Sequence, residues 1–194
     1  MITRIIVGGF GGQGVLILGY VLATAAMYEG RYATYLPAYG AEMRGGTANC
    51  TVTISDEPIA SPVASSSDIA ILMNKPACLR FEKHVRQDGV ILTNSDLTTS
   101  TRQPMGIEIV GIPANTIAKK IGDLRTPNMV MCGGFAEKTR LISLESIINS
   151  VKDIFAKKGP KVCEINAQAL REGAAYIKNW FSLQSERLIK GGLS

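Results

Sequence analysis

The stretch GGFGGQG, residues 8 to 14, constrains this chain more than any other part of it. Residues 4–7 before it are an apolar run of strand character, and residues 15–27 after it have the length and composition of a helix. Gly9, Gly11 and Gly14 therefore write G-x-G-x-x-G between a strand and a helix, the setting in which that pattern has physical meaning. Glycine permits the tight turn, a phosphate can approach the backbone N–H groups, and the amino end of a helix favours an anion. The same glycines also serve a simpler end, close packing of strand against helix, and the pattern leaves both readings open.

Residues 32–36, ending at Pro37, read as a second strand, so the chain opens as a βαβ unit. Residues 50–54 (CTVTI) alternate, but only the loop PAYGAEMRGGTAN precedes them. That is too short for a helical crossover, so this third strand is expected to run antiparallel. Further strands read at 69–73, 90–93 and 107–111, with a helix between the first two whose Cys78, Phe81 and Val85 share a face. Beyond Pro113 the pattern turns helical: 115–121, 126–138 interrupted by a Gly-Gly pair, 143–155 capped by Ser143, and 164–181 with Leu170, Ala174, Ile177 and Phe181 on one stripe. The expected fold is α/β, a three-layer Rossmann-like open sheet, mostly parallel, with a helical carboxy-terminal third, forming a single domain over 1–194.

Composition removes several functional classes. The longest apolar stretch, 15–27, is interrupted by Gly19 and falls short of the ~20 residues a membrane span needs. Arg4 inside the first apolar run argues against a secretory signal, and the cytoplasm is the expected compartment. Cys50, Cys78, Cys132 and Cys163 form no C-x-x-C pair and read as core thiols rather than metal or cluster ligands. Of the net charge of +5, most lies in residues 151–194, which carry eight Lys/Arg against four Asp/Glu. Spread along a terminal helix, that excess reads as a solvated face, not a nucleic-acid site. His84, the sole histidine, sits in the polar run 82–87 of a helix ending before Asp88. With no G-x-S-x-G and no G-x-x-x-x-G-K-[ST], neither a nucleophilic triad nor a P-loop can be assembled. Dinucleotide binding wants an acid at the end of the second strand, where this chain has Leu36, Pro37 and Ala38; Glu29 comes too early and Glu42 too late.

A second loop, YGAEMRGGTAN at 39–49, gathers Tyr39, Glu42 and Arg44 beside Gly45 and Gly46. An arginine so flanked can fork onto a phosphate or carboxylate with backbone help, or simply decorate a surface turn. Both loops follow carboxyl ends of strands read as neighbours, the edge at which open α/β sheets bind ligands, and Asn74 with Lys75 and Asn94 with Ser95 follow strands at that edge too. The candidate ligand set is therefore Gly9, Gly11, Gly12, Gln13, Gly14, Tyr39, Glu42, Arg44, Gly45, Gly46 and Asn74, with no catalytic residue and no metal ligand.

GGFGGQGV at 8–15 with PAYGAEMRGGTANCTV at 37–52 closely resembles the gamma subunit, or gamma domain, of the 2-oxoacid:ferredoxin oxidoreductases. The likeness continues through SDEPIASPV at 55–63, SDIAILMN at 67–74, GVILTNS at 89–95 and INAQALREGAAYIK at 165–178. This resemblance implies a hetero-oligomer that decarboxylates a 2-oxoacid oxidatively, forms an acyl-coenzyme A and reduces ferredoxin. It also implies that thiamine diphosphate with Mg2+ and the iron–sulfur clusters reside in alpha and beta partners, or in a ferredoxin-like delta chain. Gamma is associated with assembly and with coenzyme A. Gly122-Asp123-Leu124 begins like a thiamine-diphosphate motif but lacks the following glycine and the downstream Asn-Asn. Within the family, Tyr39 to Gly46 looks like members acting on 2-oxoglutarate or branched-chain 2-oxoacids, with 2-oxoglutarate preferred; Ala41 replaces a proline many members carry. The competing readings are a stand-alone dinucleotide oxidoreductase and a purely structural subunit.

Overall fold

The computed structural model describes residues 1–38, 47–63, 65–98 and 105–191, with side chains described as far as Ser182. Six strands form one sheet in the order β2-β3-β1-β4-β5-β6: β1 (Ile2–Phe10), β2 (Tyr32–Ala38), β3 (Thr47–Ser55), β4 (Ser67–Leu72), β5 (Val85–Asn94) and β6 (Glu108–Ile112). β1, β4, β5 and β6 pair in parallel, while β3 runs antiparallel to both β1 and β2. The expected α/β sheet and its antiparallel third strand are thus present. The simple βαβ opening is corrected: β3 inserts between β1 and β2, because a loop too short to cross the sheet can only return beside the strand it leaves.

α1 (Val15–Tyr28), α4 (Pro127–Thr139), α5 (Leu144–Phe155) and α6 (Pro160–Gly191) share the main core on one face of the sheet, over Ile5, Val7, Val52, Ile54, Ile71 and Ile112. α3 (Ala114–Ile121) adds Ala114 and Ile117 to the same core. Among the described residues the opposite face has one short helix, α2 (Lys75–Phe81), whose Ala77, Cys78 and Phe81 cover Ala70, Leu72 and Ile91. The predicted longer helix through Val85 is wrong. One 3-10 turn (Glu82–His84) ends it, and Val85 opens β5, still packed with Cys78 and Phe81. His84 accordingly lies in that turn, exposed, with its ring 6.4 Å from Phe81. A register shift between Ser67 and Ile69 lets β5 pair twice with β4, and Asp88 takes a left-handed φ of 63° to make the excursion.

The Gly-Gly pair expected to interrupt a helix does not do so. α4 runs unbroken through Gly133 and Gly134, and the glycines set how closely α6 can approach. An added Cβ at Gly133 would lie 1.9 Å from the Leu170 carbonyl oxygen, and one at Gly173 would lie 2.0 Å from that of Val130. Two helix backbones are therefore in direct contact. Ser143 caps α5 as expected, its hydroxyl accepting the Ser146 N–H at 3.1 Å.

Candidate functional site

The carboxyl ends of β1, β4 and β5 meet at one edge of the sheet, and the glycine stretch sits there divided in two. Gly8 and Gly9 belong to β1, so the turn proper is Gly11 to Gly14 and is shorter than the sequence suggests. An added Cβ at Gly8 would meet the Phe81 ring at 2.7 Å, and one at Gly9 would meet Val15, Gln13 and Met73 within 2.9 Å. These two glycines admit neighbours. Gly14 is the amino-terminal cap of α1 with φ 72°, and a side chain there would strike Asn128 at 2.3 Å. Gly12 differs: its φ is 95°, only glycine adopts that readily, and nothing lies within 4 Å of its Cβ position. Gly11 and Gly12 are both exposed. The packing explanation therefore accounts for Gly8, Gly9 and Gly14, while Gly12 at the exposed tip faces open space.

The turn is held from below. Gln13 N–H donates to the Phe10 carbonyl at 3.1 Å, and its side-chain Oε1 accepts both the Phe10 N–H and Asn74 Nδ2 at 2.7 Å. Asn74, 3% exposed, uses its Oδ1 to cap α2, accepting the Ala77 N–H at 2.9 Å. Gln13 Oε1 and both polar atoms of the Asn74 carboxamide are therefore engaged within the chain, and what they do is fix the turn. On the far side Asn128 Nδ2 donates to the Gly14 carbonyl at 3.2 Å, tying the start of α4 to the start of α1. Among the described residues no side chain caps α1, and its first turn holds no acidic residue, so its amino end presents a partial positive charge.

Tyr39, Glu42, Arg44, Gly45 and Gly46 lie outside the described residues. Their flanks are placed: Thr47 pairs directly with Phe10, so the segment returns to the sheet one residue from the turn. Ala38, by contrast, pairs with Asn49 on β3, so the two loops do not follow neighbouring strands as expected. Sequence reasoning missed two residues. Arg80, in the last turn of α2, donates from Nη1 to the Thr47 hydroxyl and puts a cation at this rim. Asn128 sits 114 positions from Gly14, a separation no local pattern signals. Asn94 is buried and occupied with Asn115 and the start of α3.

Among the described residues no cluster of three His, Cys, Asp or Glu could hold a metal ion. Burial pushes the Cys50 thiol up to about 12 and the Cys78 thiol to about 11, and raises that of Cys132 as well, so none is a thiolate at neutral pH. Among the described residues no helix is long and apolar enough to cross a membrane.

An α/β sheet with an open glycine turn at the carboxyl edge of its parallel strands has the form of a ligand-binding unit. The particular family follows from comparison: residues 4–176 match the pyruvate ferredoxin/flavodoxin oxidoreductase family, and the chain belongs to it. It is 39% identical over 177 residues to the ketoisovalerate oxidoreductase subunit VorA of Methanothermobacter thermautotrophicus, covering 91% of this chain but 36% of that protein. It is 32% identical to the 2-oxoglutarate synthase subunit KorC of Methanocaldococcus jannaschii over 162 residues, covering 81% of this chain and 86% of that one. Among solved structures, the 2-oxoglutarate:ferredoxin oxidoreductase from Magnetococcus marinus, with 2-oxoglutarate, coenzyme A and succinyl-CoA bound, superposes with a TM-score of 0.84 at 26% identity. That match covers 92% of this chain and 31% of the other. The keto/oxoacid ferredoxin oxidoreductase gamma subunit of Geobacter sulfurreducens gives 0.77 at 27% identity, covering 91% of this chain and 99% of that one. The chain thus spans about a third of its longer relatives and nearly the whole of the separate gamma subunit.

Proposed function

We propose that this chain serves as the gamma subunit of a thiamine-diphosphate-dependent 2-oxoacid:ferredoxin oxidoreductase, and that its glycine turn holds phosphates of coenzyme A. The observation that carries the reading is the tip of that turn. Gly11 and Gly12 are exposed at the uncapped amino end of α1, with open space over Gly12. Backbone N–H groups of such a tip bind and orient an anion, and Arg44 adds the cation that the second loop offers. Coenzyme A, when bound, supplies the thiol that accepts the acyl group. The chain's own part is to hold its phosphates, with Gln13 and Asn74 keeping the turn in shape.

Thiamine diphosphate, Mg2+ and the iron–sulfur clusters belong in this reading to alpha and beta chains or a delta chain, with ferredoxin as the electron acceptor and the cytoplasm as the compartment. A stand-alone dinucleotide enzyme is disfavoured on geometry: β3 separates β1 from β2, and the end of β2 offers Leu36, Pro37 and Ala38 where a ribose would need an acid. 2-Oxoglutarate is the preferred substrate; a branched-chain 2-oxoacid is the second reading, favoured by the 39% identity to a ketoisovalerate enzyme.

Steady-state kinetics on the reconstituted complex test the site. Arg44→Ala removes a charge-assisted hydrogen bond of about 1.5–3 kcal/mol, so the KM for coenzyme A rises roughly ten- to more than a hundredfold. Gly11→Val raises it too, and the KM for the 2-oxoacid stays put in both. Unchanged coenzyme A dependence in both variants, with assembly intact, would reduce the turn to a packing device. The ratio of kcat/KM for 2-oxoglutarate and 2-oxoisovalerate separates the two substrate readings.

A further inference from the structure

α1 reads VLILGYVLATAAMY and carries no charged residue. A helix apolar all round belongs in an interior, and α4, equally indifferent in pattern, is indeed buried from Asn128 through Ala136. α1 is not. Its inner side packs on the sheet through Val15, Leu18, Leu22 and Ala25, and Gly19 brings it so close to β3 that an added Cβ would lie 2.3 Å from Cys50 Sγ. Its outer side is a stripe of Tyr20, Thr24, Met27 and Tyr28, within about 100° of the helix circumference at 3.6 residues per turn, while Leu16 and Ile17 before it are half-buried and packed against the core. Tyr20 is 48% exposed, Met27 63% and Tyr28 47%. α3 and α5, which pack on the helix layer, follow the ordinary rule: Lys119 and Lys120 lie in α3, Glu145 and Lys152 in α5, and their apolar residues turn inward.

We infer that the outer face of α1 is the docking surface for the polypeptide that corresponds to the remaining two-thirds of the longer relatives. This inference rests on the subunit reading above and deepens it by naming the face. In relatives of which this chain covers 36% and 31%, the same unit is covalently joined to the rest of a larger chain. An uncharged stripe exposed in the unit alone is what the rest of such a chain would cover. The stripe begins at Tyr20, six residues past Gly14, so a partner seated on it comes within about 9 Å of the glycine turn along the helix axis. The partner chemistry that fits is an apolar, uncharged protein surface with a polar rim, since Glu29, Arg31 and Asp153 lie around the carboxyl end of the helix. Tyrosine and methionine are the side chains such interface centres favour.

The experiment mixes the purified chain with its alpha and beta chains and measures association by sedimentation. Thr24→Glu and Met27→Glu put a carboxylate into the stripe without touching the core, and Leu79→Glu and Leu124→Glu do the same at exposed sites on α2 and after α3. Circular dichroism melts of the isolated variants verify the fold. The α1 variants are expected to weaken association about thirtyfold or more, the hot-spot range, while the control variants leave it unchanged. Association that resists the α1 variants but fails in a control variant overturns the face and leaves the subunit reading standing. A wild-type chain that never associates overturns both. A homodimer of the chain alone that Met27→Glu dissolves, with association to the other chains unaffected, makes a second copy the occupant and overturns the inference.

Discussion

Replacing Gly133 by alanine sets two effects of opposite sign against each other. Alanine is the better helix former by about 1 kcal/mol, and on that ground alone Gly133→Ala stabilises α4. The structure demands the reverse. The new Cβ would sit 1.9 Å from the Leu170 carbonyl oxygen, and a carbon approaches such an oxygen no closer than about 3.3 Å. The helices must therefore part by roughly 1.4 Å along that line, a distance at which contacts lose a quarter to a half or more of their dispersion. The loss falls on the fully buried Phe135, Val130, Leu170 and Ile177. Overpacking of this kind costs about 1–3 kcal/mol for flexible side chains, and about 3–5 kcal/mol here because backbone is the obstacle. Subtracting the propensity gain leaves a net destabilisation of about 2–4 kcal/mol. Gly134→Ala is the internal comparison: its Cβ meets the Cδ1 end of Ile112 at 2.4 Å, which a rotamer change relieves, so about 1 kcal/mol or less is expected. Urea unfolding of both variants at constant m-value reads the difference. A Gly133→Ala protein that is as stable as wild type, or more so, would show that α4 and α6 do not touch backbone to backbone.

Two further outcomes follow from the site and from the electrostatics. Asn74→Ala removes the cap of α2 and one of two donors to Gln13 Oε1, so it should lower stability by about 1–3 kcal/mol in thermal unfolding and also raise the KM for coenzyme A; Asn74→Asp, which keeps the cap but not the donor, should recover stability without recovering the KM. Asp123 is held at about 2 by hydrogen bonds from the Arg125 guanidinium and N–H, against an ordinary value of 3.8. A carboxylate so depressed contributes stability above its unfolded value, and that contribution disappears as the pH falls through 2. Arg125→Ala should thus raise the Asp123 titration midpoint, followed by carbon-detected NMR, and its effect on unfolding should be present at pH 7 and absent below pH 2.

The sheet class, the antiparallel third strand, the Ser143 cap and the family likeness were all legible along the chain, because each depends on residues close together in sequence. Alternation, capping and turn chemistry act over a few positions, and the two glycine loops stand at either end of one helix-strand pair, α1 and β2. What escaped was set by distance. Nothing near Val85 tells that a 3-10 turn ends α2 before it; the pairing of Ser67 with Val85 decides that. The helical period alone made Gly133 and Gly134 look like a break, whereas the approach of α6 makes them a contact. Within GGFGGQG, sequence could say that a strand-to-helix turn needed glycine, and offered two reasons without separating them. Only the tertiary structure assigns Gly8 to the Phe81 ring, Gly14 to Asn128, and Gly12 to open space, since what stands above a glycine depends on elements up to 114 positions away. The same holds for α1: its lack of charge is written in the sequence, but which side of it lacks a cover is decided by how the helices pack around it.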